Sequence, residues 1–225
     1  MIAFEHAGFG QGRAAILAPT SLTITPGSFC MLVGPSGSGK TTFLRLCHMD
    51  LAPTTGRVRV FGRKVRPRDR NGIADLRRGL GMLSQDSRFL DHLTLVENIA
   101  LPLQIAGIDL IERADDLQAL LEWIDLGEQV GIYPPALSAS ERQRAALARA
   151  VILSPEMILA DEPCGNLDDE MGLRLLTLLV ELNRMGKTVV IATHDQDLPR
   201  AVASMVTPRV LQIAGGQIGA SEHVQ

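Results

Sequence analysis

A glycine-rich loop is the clearest chemical feature of this 225-residue sequence. The letters GPSGSGKT occupy residues 34–41, after an apolar run at residues 29–33 and before a predicted helix at residues 42–49. Glycines let backbone N–H groups wrap around phosphate oxygens without a Cβ clash, and the helix N-terminus adds partial positive charge. This phosphate loop predicts a nucleotide site in which Lys40 reaches the β- and γ-phosphates and Thr41 binds Mg²⁺. The predicted phosphate-binding residues are Gly34, Pro35, Ser36, Gly37, Ser38, Gly39, Lys40, Thr41 and Thr42.

Asp161 and Glu162 form a second candidate, because they follow an apolar run at residues 157–160. A strand that delivers two carboxylates at its C-terminal end suits a nucleotide site at a sheet edge. We predict that Asp161 holds Mg²⁺, directly or through water, and that Glu162 polarises the attacking water. Many strands end in an acidic residue, so this pair alone is weak evidence for a nucleotide site. It becomes strong evidence because the phosphate loop is also present.

Three further features are weak on their own. His194 follows the apolar run at residues 188–193, but a lone histidine is more often structural than functional. Gln85 by itself carries no signal. Ser138 and Glu141 have the spacing of a capping box, which predicts the start of a helix and nothing more.

The order of predicted elements indicates an α/β fold. Strand-like and helical patterns alternate at both ends of the chain, which predicts a parallel sheet, and a mostly helical stretch lies between. We predict one domain over residues 1–225, with a catalytic core at 1–85 and 154–225 and a helical subdomain at 86–153. The predicted strands are residues 1–4, 21–25, 29–33, 157–160, 188–193 and 209–213, and the predicted helices are 42–49, 110–124, 139–153 and 170–185.

The composition is that of an ordinary globular chain. Hydrophobic residues make up 46% and charged residues 21%, which excludes a disordered or collagen-like protein. A formal net charge of -3 argues against non-specific nucleic-acid binding, and an aromatic content of 4% is poor material for stacking bases. We therefore expect no nucleic-acid partner.

Cysteine usage and the longest uncharged run bear on location. Cys30, Cys47 and Cys164 form no CxxC pair, so we expect reduced thiols in a cytoplasmic protein, without disulfides or a zinc site. The N-terminus lacks the pattern of a signal peptide. Proline and glycine interrupt the uncharged run at residues 14–39, so we do not expect it to form one membrane-spanning helix.

Residues 57–78 are strongly basic. This stretch contains nine arginine and lysine residues but only two acidic residues, Asp69 and Asp75. One interpretation is the solvated face of a small strand-and-loop region, and another is contact with anionic lipid headgroups. DNA binding is the weakest interpretation, because no groove-reading motif accompanies the charge.

Taken together, these residues resemble the ATP-binding subunits of ABC systems. Six sequence elements occur in the order of that family over nearly the whole chain. They are Walker A at 34–41, the Q-loop at Gln85, the signature at Leu137, Ser138, Ala139, Ser140 and Glu141, Walker B at 157–162, the D-loop at Asn166, Leu167 and Asp168, and the H-loop at His194. The resemblance implies a P-loop NTPase (ABC ATPase) fold with a mainly parallel sheet core, a small antiparallel β region and an inserted helical subdomain.

The resemblance also implies ATP hydrolysis with Mg²⁺ in a homodimer. Two chains would pack head-to-tail and trap two ATPs, each between Walker A of one chain and the signature helix of the other. Phe9 lies where the family places an aromatic that stacks on adenine, and core packing is the alternative. The implied Mg²⁺ ligands are Thr41, Gln85 and Asp161, and the implied catalytic residues are Glu162, His194 and Gln85.

Within that superfamily, the sequence is most similar to the FtsE family of cell-division ATP-binding subunits. The similar stretches are residues 85–94, 97–107, 160–168 and 191–195, parts of which are shared with lipoprotein-releasing and macrolide-exporter ATPases. The resemblance implies an FtsX-like integral membrane partner, contacted near residues 86–103, and control of peptidoglycan hydrolases. The chain would then be cytoplasmic and peripheral on the inner face of the membrane, which it contacts mainly through that partner.

Two signature positions depart from the family pattern, because Ala139 and Ser140 replace glycines. If these positions are helical, the replacements favour the helix by up to about 1 kcal/mol. If either is left-handed, the new Cβ costs about 1–2 kcal/mol. We expect tolerated geometry with slower hydrolysis. Three functions stay open: an FtsE-like ATPase that signals through a membrane protein, an exporter ATPase, and a weakly hydrolysing ATP-dependent switch.

Overall fold

The computed structural model describes residues 1–11, 14–85, 87–165 and 167–220. These residues form two sheets and a set of helices. The strands are β1 Ile2–Gln11, β2 Ala14–Ile24, β3 Phe29–Val33, β4 Thr55–Val60, β5 Arg63–Lys64, β6 Leu80–Leu83, β7 Met157–Asp161, β8 Thr188–Thr193, β9 Arg209–Ala214 and β10 Gln217–Ala220. The α-helices are α1 Lys40–Cys47, α2 Arg70–Arg78, α3 Leu95–Ile105, α4 Ala114–Trp123, α5 Ala139–Val151, α6 Asp169–Arg184 and α7 Leu198–Val202.

The core sheet has six strands in the order β10-β9-β3-β8-β7-β6. The strands from β9 to β6 run parallel, and β10 pairs antiparallel with β9 at one edge. Every residue of β3, β7 and β8 is buried, as expected for strands that are covered on both faces. Continuous apolar runs therefore predict these three strands to within one residue.

Hydrophobic clusters lie on the two faces of this sheet. Met31 of β3 belongs to the cluster that includes Leu147 of α5 and Leu179 of α6. The next residue, Leu32, belongs to the cluster that includes Phe43 of α1. Alternate residues of one strand thus join two helical layers to the same sheet.

The second sheet is antiparallel, in the order β2-β1-β4-β5. β1 and β2 are longer than the strands predicted at residues 1–4 and 21–25. The prediction is too short because register shifts after Phe4 break the alternation of apolar and polar residues by which a strand is recognised in a sequence. Phe4 stacks on Phe43 of α1, with ring centroids 4.7 Å apart. This contact packs the second sheet against the helix that follows the phosphate loop.

The prediction of strand and loop over residues 57–78 is wrong for its last nine residues, where helix α2 forms. Asp69 caps this helix and accepts a hydrogen bond from Gly72 N at 2.9 Å. Leu76 is its one fully buried side chain. Because arginines surround a single buried leucine, the sequence shows no apolar periodicity there. Strand β6 was also not predicted, since it has only four residues.

Helices α3, α4 and α5 lie in the sequence between β6 and β7. Helix α3 packs against α5, and the two 3₁₀ turns at Ile111–Arg113 and Pro134–Ala136 connect the helices. Among the described residues, no helix combines the length and the apolar character needed to cross a membrane. The uncharged run at residues 14–39 instead supplies β2, β3 and the phosphate loop.

The three cysteines are free thiols. Cys30 and Cys47 are buried, and Cys164 is partly buried. Burial raises the pKa of Cys30, and it raises that of Cys164 to about 12 with a further contribution from the charges of Asp195 and Glu162. Because the thiolate is the reactive form, these side chains act as packing groups near neutral pH.

A buried amide fixes the chain segment that leads into α3. Asn98 is fully buried, and its Oδ1 accepts a hydrogen bond from Leu90 N at 2.8 Å. Its Nδ2 donates to the carbonyl oxygens of Leu90, Leu93 and Thr94 at 3.0–3.1 Å. One side chain thus satisfies four backbone groups of a segment that has no regular secondary structure.

We predict that Asn98→Ala lowers the free energy of unfolding by about 1–3 kcal/mol, because these backbone groups lose their partners. Urea unfolding followed by circular dichroism measures the change. Gln104→Ala is the matched control, since Gln104 is exposed on the same helix, and it should stay within about 0.5 kcal/mol of the parent. Equal stability of the two variants would contradict the assigned role of Asn98.

Candidate functional site

Three neighbouring strands of the core sheet end at the same level. Val33 at the end of β3 pairs with Thr193 at the end of β8. At the end of β7, Glu162 N donates to Ala192 O of β8 at 2.9 Å. The phosphate loop after β3, the carboxylates of β7 and His194 after β8 therefore meet at the carboxyl edge of the sheet.

The phosphate loop has the backbone conformation for which glycine is suited. Gly37 and Gly39 have φ values of 76° and 107°, and Gly39 caps the start of α1. A Cβ built on Gly34 would lie 2.1 Å from the carbonyl oxygen of Ile213 on β9. The glycines thus allow both the left-handed turns and the close packing of the loop against β9.

Lys40 is held inside the loop. Its side chain is 6% exposed, and Nζ donates hydrogen bonds to Gly34 O at 2.7 Å and Pro35 O at 3.1 Å. Nζ also lies 3.3 Å from Oε1 of Glu162. The positive charge of Lys40 therefore lies between the loop backbone and the carboxylate of Glu162, which follows β7.

Asp161 presents a carboxylate oxygen without a protein partner. Its side chain is 5% exposed, and Oδ1 is buried with no hydrogen bond to any described residue. Burial raises the pKa of Asp161, the Glu162 charge adds to this effect, and the Thr41 hydroxyl and Lys40 oppose it. A buried oxygen beside a hydroxyl and a phosphate loop fits the oxygen ligands that Mg²⁺ requires.

Glu162 is fixed at both of its carboxylate oxygens. Oε2 accepts from the His194 backbone N–H at 3.2 Å and lies 2.9 Å from Nδ1 of the His194 ring, while Oε1 contacts Lys40. Its backbone is left-handed, with a φ of 47°, which is uncommon for a residue other than glycine. The surrounding contacts therefore determine where this carboxylate lies.

Two cavities share Gln85 and Glu162. One, of about 360 Å³, is lined by the phosphate loop and by Ile16. The other, of about 430 Å³, extends to Ala139 at the start of α5 and to Leu167. The structure thus brings the loop, Gln85 and Glu162 together, and it places the signature residue Ala139 on the far side of them.

The signature residues begin helix α5 without backbone strain. Ser138 is the N-cap, and its backbone N–H and its hydroxyl both donate to Glu141 Oε2 at 2.8 Å. Ala139 and Ser140 are the first helical residues, and neither has a positive φ. Of the two alternatives for these replacements, the helical one is the one observed. Leu137, just before the cap, is buried.

Some predicted site residues lie apart from this cluster. Phe9 is partly buried on β1, packs against the core and does not line either cavity, so its stacking on adenine stays a prediction. The Asp168 carboxylate caps α6 by accepting from Met171 N at 2.8 Å. Asn166 lies outside the described residues.

Sequence reasoning missed several supporting contacts. Gln143 of α5 donates to Pro163 O at 3.0 Å and so connects the signature helix to the turn after Glu162. Ile16 lines the loop cavity, and the Ile213 carbonyl limits the space at Gly34. These residues carry no motif, and only the packing of distant strands brings them to the site.

Comparison with known proteins identifies the family. Residues 17–165 match the family described as ABC transporter. A solved structure of the ATP-binding cassette MJ0796, dimeric and bound to ADP and Pi after hydrolysis, superposes with a TM-score of 0.88 and 31% identity. That superposition covers 100% of this chain and 99% of the other.

Curated relatives agree at the level of the family. Methionine import ATP-binding protein MetN 2 of Burkholderia mallei is 40% identical over 197 residues, which are 87% of this chain and 50% of that protein. The cell division ATP-binding protein FtsE of Haemophilus influenzae is 42% identical over 172 residues, which are 76% of this chain and 79% of that protein. The macrolide export protein MacB of Chromobacterium violaceum is 38% identical over 210 residues, which are 93% of this chain and 32% of that protein.

The chain thus spans about half or less of the length of the MetN and MacB relatives it matches, and FtsE is one similar protein among several. The match confirms the predicted P-loop fold, the ATPase activity and the use of ATP with Mg²⁺. On the evidence of its sequence, its fold and its site, the chain belongs to the ABC transporter family.

Proposed function

We propose that this chain hydrolyses ATP in a head-to-tail homodimer and passes the resulting conformational change to an FtsX-like membrane partner. The observation that carries the catalytic part is the cluster of Lys40, Asp161, Glu162 and His194 beside the phosphate loop. In this proposal residues 1–85 and 154–225 act as the catalytic core, and residues 86–153 act as the helical subdomain.

The residues of the cluster have separate roles. Thr41, Gln85 and Asp161 would hold Mg²⁺, which when bound neutralises the charge that develops on the phosphates. Lys40 would bind the β- and γ-phosphates. Glu162 would orient the attacking water and accept its proton, because its carboxylate already lies at the edge of the loop cavity.

His194 would act on Glu162 and on the γ-phosphate. Its contact of 2.9 Å with Oε2 fixes the orientation of the carboxylate. In a neutral imidazole only one ring nitrogen carries a proton. If Nδ1 donates to Glu162, Nε2 can only accept, so a hydrogen bond donated by Nε2 to phosphate as well requires the imidazolium form.

The position of the signature supports the proposed dimer. Within one chain, Ala139 lines the far cavity and is absent from the lining of the loop cavity. The Ser138 end of α5 would therefore reach the γ-phosphate of ATP bound to a second copy. The dimeric state of the MJ0796 cassette supports this arrangement. Charge-assisted hydrogen bonds to phosphate contribute about 1.5–3 kcal/mol each, and each one made across the two chains would favour closure.

The surface after Gln85 is the proposed contact with the membrane partner. Helix α5, which begins with the signature, is joined to it because Arg149 donates to Arg88 O at 2.7 Å. The Arg149 guanidinium also lies over the Phe89 ring, 4.5 Å from its centroid. A movement of the signature helix on closure would therefore move residues 87–103.

The proposed cellular role is FtsE-like control of peptidoglycan hydrolases at cell division, with the chain on the inner face of the cytoplasmic membrane. Similarity to FtsE supports this role, and similarity to MacB supports an exporter ATPase as the alternative. Ala139 and Ser140 favour a third candidate, a switch that binds ATP and hydrolyses it slowly.

We predict that Glu162→Gln lowers ATP turnover by about 10²–10⁴-fold while ATP binding is retained, because the amide cannot accept the proton of water. Phosphate release measures turnover, and binding of a fluorescent ATP analogue measures affinity. In cells the variant should fail to replace the parent if hydrolysis is required, and it should succeed if the protein is a switch.

Glu156→Gln is the matched control for this experiment. Glu156 is exposed and directly precedes β7, whereas Glu162 directly follows it, so the same change of charge and shape occurs 6 positions earlier in the chain. Its turnover should equal that of the parent. An active Glu162→Gln enzyme, or equal losses in both variants, would contradict the role of Glu162.

Restoring glycine at Ala139 and Ser140 should raise ATP turnover and lower thermal stability. The stability loss is expected because glycine costs up to about 1 kcal/mol at each helical position. Steady-state ATPase assays and thermal melts of the double variant measure both effects. Unchanged turnover would show that the altered signature does not slow hydrolysis.

Affinity co-purification from detergent-solubilised membranes of the native cell tests the partner. We expect one membrane protein with few spanning helices and a large external domain. Filamentous cells after its depletion would support the FtsE-like role, whereas a permease without a division defect would support the exporter. Recovery of no membrane protein would contradict both and favour the switch.

A further inference from the structure

Five positive charges are concentrated in the eight residues 63–70, here called the basic segment. It comprises the short strand β5, a turn that contains Pro67, and the first residue of α2. All five cationic side chains are on exposed residues, namely Arg63, Lys64, Arg66, Arg68 and Arg70. The chain as a whole has a formal net charge of -3, so this positive charge is local.

The other basic residues of the region are already paired. Arg59 donates to Glu5 at 2.7 Å, and Arg57 contacts the same carboxylate. Arg77 pairs with Asp50 at 2.8 Å, and Arg78 lies 3.4 Å from Asp75. In the described part of the chain, no carboxylate lies within 4.0 Å of any of the five cationic groups of the basic segment.

The one acidic residue within the segment is used elsewhere. The Asp69 carboxylate accepts the hydrogen bond from Gly72 N that caps α2. The like charges around it repel each other, and an anionic surface would relieve that repulsion. The positive charge of the segment is therefore not neutralised by acidic side chains among the described residues of the protein.

The position of the segment makes it accessible to a flat surface. Strand β5 is the outer strand of the antiparallel sheet, next to β4 alone. Helix α2 runs from the segment for nine residues, or about 13 Å, to Arg78. Arg77 lines a groove of about 240 Å³ that also includes Arg149 and Pro102, next to the surface proposed for the membrane partner.

The chemistry of the segment favours a lipid surface over a nucleic acid. Residues 62–71 contain no aromatic side chain on which a base could stack. Val65 packs against the core, so the apolar part of the segment anchors it and does not insert into a bilayer. Binding would be electrostatic, which suits headgroups that present charge without a fixed shape.

We propose that the basic segment binds the anionic phospholipid headgroups of the membrane surface directly. The contact adds to the proposed contact through a membrane partner, and it does not require that partner. Its position beside the partner surface rests on the proposed function, whereas the binding itself rests on the charge distribution of this chain.

Co-sedimentation of the full chain with protein-free vesicles tests the proposal. Vesicles of 30% phosphatidylglycerol in phosphatidylcholine should bind the chain, and pure phosphatidylcholine should not. Each basic side chain near such a surface contributes about fivefold to partitioning, so Arg63, Arg66 and Arg68→Gln together should weaken binding about 100-fold. Raising NaCl from 0.1 to 0.5 M should release the protein, because exposed charges are screened.

The control triple variant is Arg113, Arg174 and Arg200→Gln. It removes the same number of positive charges, but each of these arginines already pairs with a carboxylate. It should bind the anionic vesicles like the parent. ATP turnover of both triple variants should equal that of the parent, which separates this test from that of the catalytic proposal.

Three results would overturn the proposal. They are equal binding to neutral and anionic vesicles, equal losses in the two triple variants, and displacement from vesicles by equimolar duplex DNA. The last would assign the segment to nucleic acid. Because the vesicles contain no protein, absence of binding would reject the lipid contact while the proposed partner and the ATPase activity stand.

Discussion

The site depends above all on the parallel pairing of β3, β8 and β7. A shift of β7 by one residue against β8 would move Glu162 by about 3.3 Å and would exchange the faces to which Asp161 and Glu162 point. The contacts of Glu162 with Lys40 and His194 are 3.3 and 2.9 Å long and would not survive such a shift. Complete burial of all three strands fixes the register, because close-packed side chains on both faces interdigitate in one arrangement.

The same packing carries an electrostatic cost. Lys40 and Asp161 are almost completely buried, and the raised pKa of Asp161 shows that its charged form is disfavoured there. One buried carboxylate oxygen has no partner among the described residues. Such groups lower stability in a core and persist at sites where a ligand completes their contacts. The apolar strands beneath the site offset this cost.

The parts of the fold that were predictable are those whose signal is local. Strands β3 and β8 are continuous apolar runs between turns, and the capping box at Ser138 specifies the start of α5 within a few residues. Helix α2 and strand β6 were missed because one is dominated by arginine and the other is too short for a periodicity. The bulges of β1 likewise hide its length.

The site was predictable to the same extent. The phosphate loop, Asp161 and Glu162 lie in motifs of adjacent residues, whereas His194 gained its role only from the family resemblance. That these residues meet follows from the parallel strands. The contribution of Ile213 was not predictable, since it depends on how closely β9 approaches the loop. The helical backbone at Ala139 and Ser140 also needed coordinates, because sequence alone is compatible with both conformations there.

The buried amide of Asn98 has a mechanical consequence for the segment before α3. A loop without internal hydrogen bonds bends when one end is pushed, so a displacement at one end is lost before it reaches the other. Here one side chain ties residues 90, 93 and 94 to the first turns of α3. Because these hydrogen bonds restrain the segment relative to α3, we expect a displacement of the helix to move the segment with it.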